Sequence, residues 1–304
     1  IVSLLVFLLT NFIGDPVDML VPENATLEQI ESARTRLGLD KPLPVQYGIF
    51  IRDVLHGNFG KSYTYGKPAM DLIFERMPAT LELVAVAACL VLCIAIPLGV
   101  YAGAYPKRAS SKLIMSGSIL GISLPSFWVG MMMIYIFAVV LRLLPASGRG
   151  NTVMVGNVAL SIFAPGGIRY VILPAITLAL TNVATMLRLT RSGILENMRQ
   201  DYIKFARAKG VPAKSILFGH ALKNALIPVV TIFGMDLGNM IAFTTITETI
   251  FAWPGMGKLL IDAINKSDRP IIVAYLMAAA CMFVVLNFIV DILYTLIDPR
   301  IELR

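Results

Sequence analysis

Few residues of this chain could do chemistry, and most of them stand at spacings that do none. "HGNFGKS", His56 to Ser62, ends in the Gly60-Lys61-Ser62 triplet of a phosphate-binding loop. Such a loop needs another glycine five places before Gly60, so that enough backbone amides surround the phosphates, but Leu55 stands there and no apolar strand precedes it. His56 and His220 are the only 2 histidines, and neither belongs to a carboxylate or cysteine cluster with metal-ligand spacing. Cys89, Cys93 and Cys281 all fall inside apolar runs, where a thiol behaves as a small hydrophobe, so they form neither a disulfide framework nor a metal site. The expectation is a chain with no catalytic residue, no metal and no cofactor of its own.

Two places remain. Asp236 interrupts an apolar run near its middle, where an ionisable group is costly unless it faces partner groups or a wet cavity. Asn239 follows three residues on, near the same helical face. The pair reads either as pathway-lining, with the acid meeting a cationic group of a transported molecule, or as a structural hydrogen bond between helices. The second place is "DYIKFARAKG", Asp201 to Gly210. On a helix Tyr202, Phe205, Ala206 and Lys209 fall at i, i+3, i+4 and i+7, and Ala206 and Gly210 stack one turn apart. That face is apolar and nearly flat, with Lys204, Arg207 and Lys209 around its rim. It suits a groove on another protein; the alternative is a basic helix lying on anionic lipid.

The elements that must position these residues are membrane helices. Of 304 residues 57% are hydrophobic and 15% charged, and the mean hydropathy of +0.76 lies far on the apolar side of soluble chains. Residues 83–106 and 113–141 contain no charge, and each run is long enough, at about 1.5 Å per residue, to cross about 30 Å of hydrocarbon. The formal charge of +7 does not indicate nucleic acid, because the basic residues sit in loops between apolar segments and no aromatic-interleaved basic stripe occurs.

The uncharged runs predict an all-α membrane protein of six spans, at about 1–14, 79–105, 113–141, 170–187, 224–248 and 270–297. Residues 1–14 are too short to span alone and read as the end of a first transmembrane helix whose start lies outside this numbering. Loops 106–112 and 188–223 carry 11 Lys and Arg, whereas loops 142–170 and 249–269 carry 6. This bias places the former loops and both termini in the cytoplasm, with a cytoplasmic tail at 298–304.

Residues 15–78 then form an extracytoplasmic helical insertion. Within it Thr26 and Gln29 have capping-box spacing, with a stop at Gly38; a second helix is expected over 44–55, and "PAMDLIFERM" leads into the next span. Gly99 with Gly103, Gly117 with Gly121 and Gly234 with Gly238 sit four apart, a spacing that lets helices approach closely in lipid. Pro97, Pro125, Pro174 and Pro228 interrupt spans, which favours a jointed bundle over a simple anchor.

"YIKFARAKG" followed by "HALKNALIPVVT" resembles the cytoplasmic loop of type I ABC importer permeases, in the variant found in dipeptide, oligopeptide and nickel importers. "GDPV" at 14–17, "LGLDKP" at 37–42, "HGNFGKS", "ATLEL" at 79–83, "TETIFAWPGMG" at 247–257 and "DILYTLIDPRI" at 291–301 are similar to the same family, so the resemblance runs nearly end to end. The general loop signature begins Glu-Ala-Ala with a glycine four residues after the second alanine; Lys204, Phe205, Ala206 and Gly210 hold those places, and only Ala206 and Gly210 agree with it. Asp236 stands where relatives often carry glutamine.

The resemblance implies the type I ABC importer permease fold, with an ABC transmembrane domain over 79–297 and a coupling loop over about 188–223. It implies a non-catalytic permease of a bacterial or archaeal cytoplasmic membrane, importing short peptides. It also implies four kinds of partner: a second homologous permease, two ABC ATPases that bind ATP and Mg, an extracytoplasmic solute-binding protein, and membrane lipid. Tyr202, Phe205, Ala206, Arg207, Lys209 and Gly210 would then meet the ATPase. Nickel chelates, glutathione and opines are alternative solutes. An ion-coupled secondary transporter, the reading from another class, would show inverted repeats with midplane charges, and Asp236 stands alone.

Overall fold

In a computed structural model, residues 2–12, 17 and 26–297 are described. The expected tail at 298–304 and part of the first expected span lie outside them. The helices are α1 (Val2–Phe12), α2 (Leu27–Leu37), α3 (Leu43–Leu55), α4 (Ala69–Ala104), α5 (Ala109–Ser123), α6 (Ser126–Met133), α7 (Ile168–Asn197), α8 (Asp201–Ala208), α9 (Ala213–Ser215), α10 (Leu222–Ile250), α11 (Met256–Asn265) and α12 (Arg269–Ile297). Two strands, β1 (Val153–Val155) and β2 (Val158–Leu160), pair antiparallel with Val155 opposite Val158. This hairpin is an addition to the all-α expectation. β-branched residues flank Gly156, whose φ of 62° supplies the left-handed conformation that a two-residue loop needs.

Among the described residues four helices are long and apolar enough to cross a membrane, and five if one bent pair counts as a single span. That pair lies in the span expected over 113–141, at one of the prolines expected to interrupt it: α5 and the segment Ser126–Val140 meet at 105°. Pro125 is the cause. It offers no N–H to the helix and forces the preceding residue out of the helical region, and Leu124 accordingly lies at φ −90°, ψ 131°. Past α6 the backbone widens into a π-helix over Ile134–Val140. Another π-turn, Ile216–Ala221, joins α9 to α10, so a 38-residue helix runs over Ala213–Ile250. It begins well before the span expected over 224–248. α1, with 11 residues, is about 16 Å long and too short to span by itself.

Contacts divide the chain into two units, residues 1–80 with 254–283 and residues 81–253 with 284–304. In the first, Thr26 and Gln29 form the reciprocal cap: the Gln29 N–H donates to Thr26 Oγ1 at 3.4 Å and the Thr26 N–H donates to Gln29 Oε1 at 3.0 Å. Phe7 of α1 packs on Tyr47 and Phe50 of α3, with ring centroids 5.3 and 5.7 Å apart. Ile73, Met256, Leu259 and Ile271 are buried in this unit's core.

"HGNFGKS" has a structural role there. Asp268, fully buried before α12, accepts from Ser62 Oγ at 2.5 Å, the Tyr63 N–H at 3.2 Å and the Thr64 N–H at 3.0 Å. The loop amides therefore close on a carboxylate of the protein itself. Burial raises the Tyr63 phenol above its usual pKa.

The second unit is built around α7, which packs against α5, α6 and α10. Gly99 and Gly103 bring α4 close to it: a Cβ at Gly99 would lie 2.6 Å from Thr190 Cβ, and one at Gly103 would lie 2.7 Å from Ile194 Cβ. Gly234 meets Val290 of α12 in the same manner. Gly117 does not share this role, since nothing among the described residues comes within 4 Å of its Cβ position.

Candidate functional site

α8 starts after Gln200 and is amphipathic, and the side it buries against its own chain is centred on Ile203. Ile203 is fully buried, joining Ile194 of α7, Ile216, Ala221 and Ala225 in a small core, with Ala206 packed partly against it. Tyr202 and Phe205 are turned outward, and Phe205 is 61% exposed. A helix that contacts the rest of its own chain must bury one stripe, and Ile203 with Ala206, three apart, provides it.

Gly210 is also placed differently. The helix ends at Ala208, so Gly210 does not extend the face of Ala206 by another turn. Its φ is +76°, its N–H donates to the Arg207 carbonyl at 2.9 Å, and the Val211 N–H donates to the Ala206 carbonyl at 3.1 Å. These two bonds form a Schellman motif, in which glycine is favoured because a Cβ opposes the left-handed conformation.

The outward side is held in order. Tyr202 Oη donates to Asn197 Oδ1 at 2.7 Å and accepts from Asn224 Nδ2 at 3.0 Å, which ties α8 to the ends of α7 and α10. Lys209 Nζ lies 4.5 Å from the centre of the Phe205 ring. Lys204 Nζ donates to Asp201 Oδ1 at 2.8 Å, which holds that carboxyl below its usual pKa. Arg207 and Lys209 are exposed. α8 thus presents one ordered aromatic stud within a basic rim.

Asp236 and Asn239 lie in a different place, a chamber of about 320 Å³ between α6, α7 and α10. Ser126 of α6 and Thr181, Asn182 and Thr185 of α7 share its wall with them, and Met240 and Phe243 add apolar surface. Asn239 lies beside the Asp236 carboxyl. Thr185 Oγ1 donates to the Thr181 carbonyl at 3.2 Å and Asn182 Nδ2 to the Leu178 carbonyl at 3.3 Å, so each spends a donor on its own helix. The polar residues of α7 were missed in the sequence. Their signal is the row Thr177, Thr181, Thr185 at i, i+4, i+8 inside an apolar run.

Glu82, within the "ATLEL" motif, is 5% exposed and is fully engaged by Arg149 and the Ser161 region. Among the described residues no group of three His, Cys, Asp or Glu could hold a metal ion.

A family model described as "Binding-protein-dependent transport system inner membrane component" matches residues 95–303, and its N-terminal counterpart, "Binding-prot-dependent transport system membrane comp, N-term", matches residues 1–84. The chain is 37% identical over 314 residues to the probable D,D-dipeptide transport system permease protein DdpB of Escherichia coli (strain K12), covering 99% of this chain and 92% of that one. It is 39% identical over 315 residues to the di/tripeptide transport system permease protein DppB of Pseudomonas aeruginosa (strain UCBPP-PA14), covering 99% and 94%. It is 38% identical over 290 residues to the oligopeptide transport system permease protein AppB of Bacillus subtilis (strain 168), covering 95% and 90%. Among solved structures, one of inward-facing conformations of the MetNI methionine ABC transporter has the same fold, at a TM-score of 0.59 and 16% identity, over 75% of this chain and 97% of that one.

Proposed function

We propose, because this chain belongs to the family of binding-protein-dependent transport system inner membrane components, that it is the permease subunit of an ABC importer of short peptides. The observation that carries the substrate class is the near full-length identity of 37–39% to three permeases named for dipeptides, di/tripeptides and oligopeptides. The chain is a multi-pass membrane protein, and its own part in transport is conduction and coupling rather than hydrolysis.

In this reading α1, α4, the bent α5–α6 pair, α7, α10 and α12 are the six spans, with both termini cytoplasmic and residues 15–78 extracytoplasmic, where they meet a solute-binding protein. The domain limits are those of the sequence reading, an ABC transmembrane domain over 79–297 with a coupling loop over about 188–223. A homologous permease completes the pathway, of which Asp236 and Asn239 line this half. The ordered stud of Phe205 and Tyr202, rimmed by Arg207 and Lys209, seats in a groove on an ATPase, with Ala206 and the turn at Gly210 closing the contact. ATP and Mg act on the two ATPases, and nucleotide shifts the assembly because it binds the two arrangements with different affinity.

The test is isolation of the tagged chain from native membranes in mild detergent, followed by uptake in proteoliposomes. Two ATPase polypeptides should accompany it, and ATP should drive accumulation of dipeptides delivered by the solute-binding protein. Uptake driven by an ion gradient without ATPases would overturn the reading in favour of a secondary transporter.

A further inference from the structure

The geometry points to the chamber around Asp236 as a subsite for the α-ammonium group of the transported peptide; this rests on the peptide-importer reading and deepens it. Three features of the chamber argue for that ligand.

The first is charge. Among the described residues Asp236 is the one ionisable residue in the lining, and no Lys or Arg joins it there. A carboxylate at membrane depth without a basic partner in its cavity is stabilised by whatever cation the cavity admits. The carboxylate end of a zwitterionic peptide would meet repulsion at this wall, and a neutral sugar or amide would leave the charge unanswered.

The second is the balance of donors and acceptors. Thr185 and Asn182 each give a hydrogen to a carbonyl of α7, and Asn239 lies beside Asp236 in the lining. The acceptors in the lining then include the Thr185 hydroxyl oxygen, the Asn182 amide oxygen and the Asp236 carboxylate. A carboxylate beside further acceptors suits a group rich in donors, and an ammonium has three hydrogens and no lone pair.

The third is size. At about 320 Å³ the chamber lies at the lower end of the range of about 300–1,000 Å³ occupied by small-molecule sites. It fits the end of a short peptide and excludes a folded one. Met240 and Phe243 supply apolar surface beside the polar row, which a first side chain of variable type can cover.

Occupancy is read at Thr181, an exposed residue of the chamber wall. In the assembled importer, with Cys89, Cys93 and Cys281 replaced by serine, Thr181→Cys is labelled with a small maleimide in the presence of either an equimolar dipeptide mixture or the same mixture N-acetylated. Free dipeptides should slow labelling about tenfold and acetylated ones should not. Protection should be lost in Asp236→Asn and retained in Asp236→Glu, with each rate normalised to assembled complex. Labelling that free dipeptides leave unchanged, equal protection by both mixtures, or protection that survives Asp236→Asn overturns the subsite. Dipeptide uptake by the wild-type importer is measured beside it. Uptake without protection removes the subsite and leaves the permease reading standing; no uptake of any dipeptide removes both.

Discussion

Arg149 and Glu82, 67 residues apart in sequence, form a buried ion pair in which both oxygens of the carboxylate are engaged. Arg149 Nε and Nη2 donate to Oε2 at 2.9 and 2.5 Å, while the Ser161 N–H, Ser161 Oγ and the Ile162 N–H donate to Oε1 at 2.6, 3.0 and 2.7 Å. Arg149 also lies 5.7 Å from the centre of the Trp253 ring, which is fully buried. The connection between α6 and α7 is thereby fastened to α4. Arg149→Ala leaves a buried, uncompensated carboxylate and should cost about 3–5 kcal/mol. Thermal unfolding in detergent checks it. The pair Glu82→Leu with Arg149→Met should recover only part of the loss, because the Ser161 and Ile162 amides then lose their acceptor.

Glycines with the same sequence spacing should respond with opposite sign. Gly99→Ala drives its Cβ to 2.8 Å from the Leu187 carbonyl oxygen, a backbone atom that cannot rotate away, and should destabilise by about 1–3 kcal/mol. Gly117→Ala meets nothing within 4 Å and should be neutral or stabilising by up to about 1 kcal/mol through helix propensity. Melting curves of the two variants in one detergent should lie on opposite sides of the wild type.

The fold and the proposed coupling role separate within α8. Ile203→Ala removes a fully buried side chain and should cost about 2–5 kcal/mol. Phe205→Ala truncates an exposed one and should leave the melting temperature nearly unchanged, within about 0.5 kcal/mol. If Phe205 seats in an ATPase groove, its loss should weaken ATPase association by about 2 kcal/mol, or thirtyfold, measured by titrating ATPase onto the reconstituted permease. Unaltered association would remove Phe205 from the contact.

At Asp268 the prediction concerns local order. Asp268→Ala deletes the acceptor of one hydroxyl and two backbone N–H groups. Loss of charge-assisted bonds of about 1.5–3 kcal/mol each should open the loop over 61–68 to fast amide exchange. Ser62→Ala leaves both amide bonds to the carboxylate intact and should produce the smaller change in exchange.

The sequence made the helices legible wherever a local signal fixed them. The Thr26 and Gln29 cap sets the start of α2, and long uncharged runs mark α4 and α12. It was less informative where the deciding contact is distant. Tyr202, Phe205 and Ala206 form an apolar spacing as regular as that of Ile203 and Ala206, and only the neighbouring Ile194 and Ile216 decide which side is buried. Gly210 reads as a helix residue by spacing, yet two backbone bonds make it the terminator. Glu82 sits near a span end, and nothing near it in sequence announces Arg149. Asp236 and Asn239 were found because charge and amide stand out in an apolar run. The threonine row opposite them was passed over because threonine is common there.

The π-turn over Ile216–Ala221 has a consequence for both ends of the long helix that contains it. A π-turn closes i to i+5 rather than i to i+4 and so inserts one residue into the α repeat. One residue is about 100° of rotation. The six residues from Ile216 to Ala221 therefore act as a clocking joint, setting the angle at which Asp236 looks out relative to the side on which Ile216 and Ala221 receive α8. Shortening that joint by a single residue would spare every contact at either end taken alone and still aim the carboxylate at the wrong neighbour.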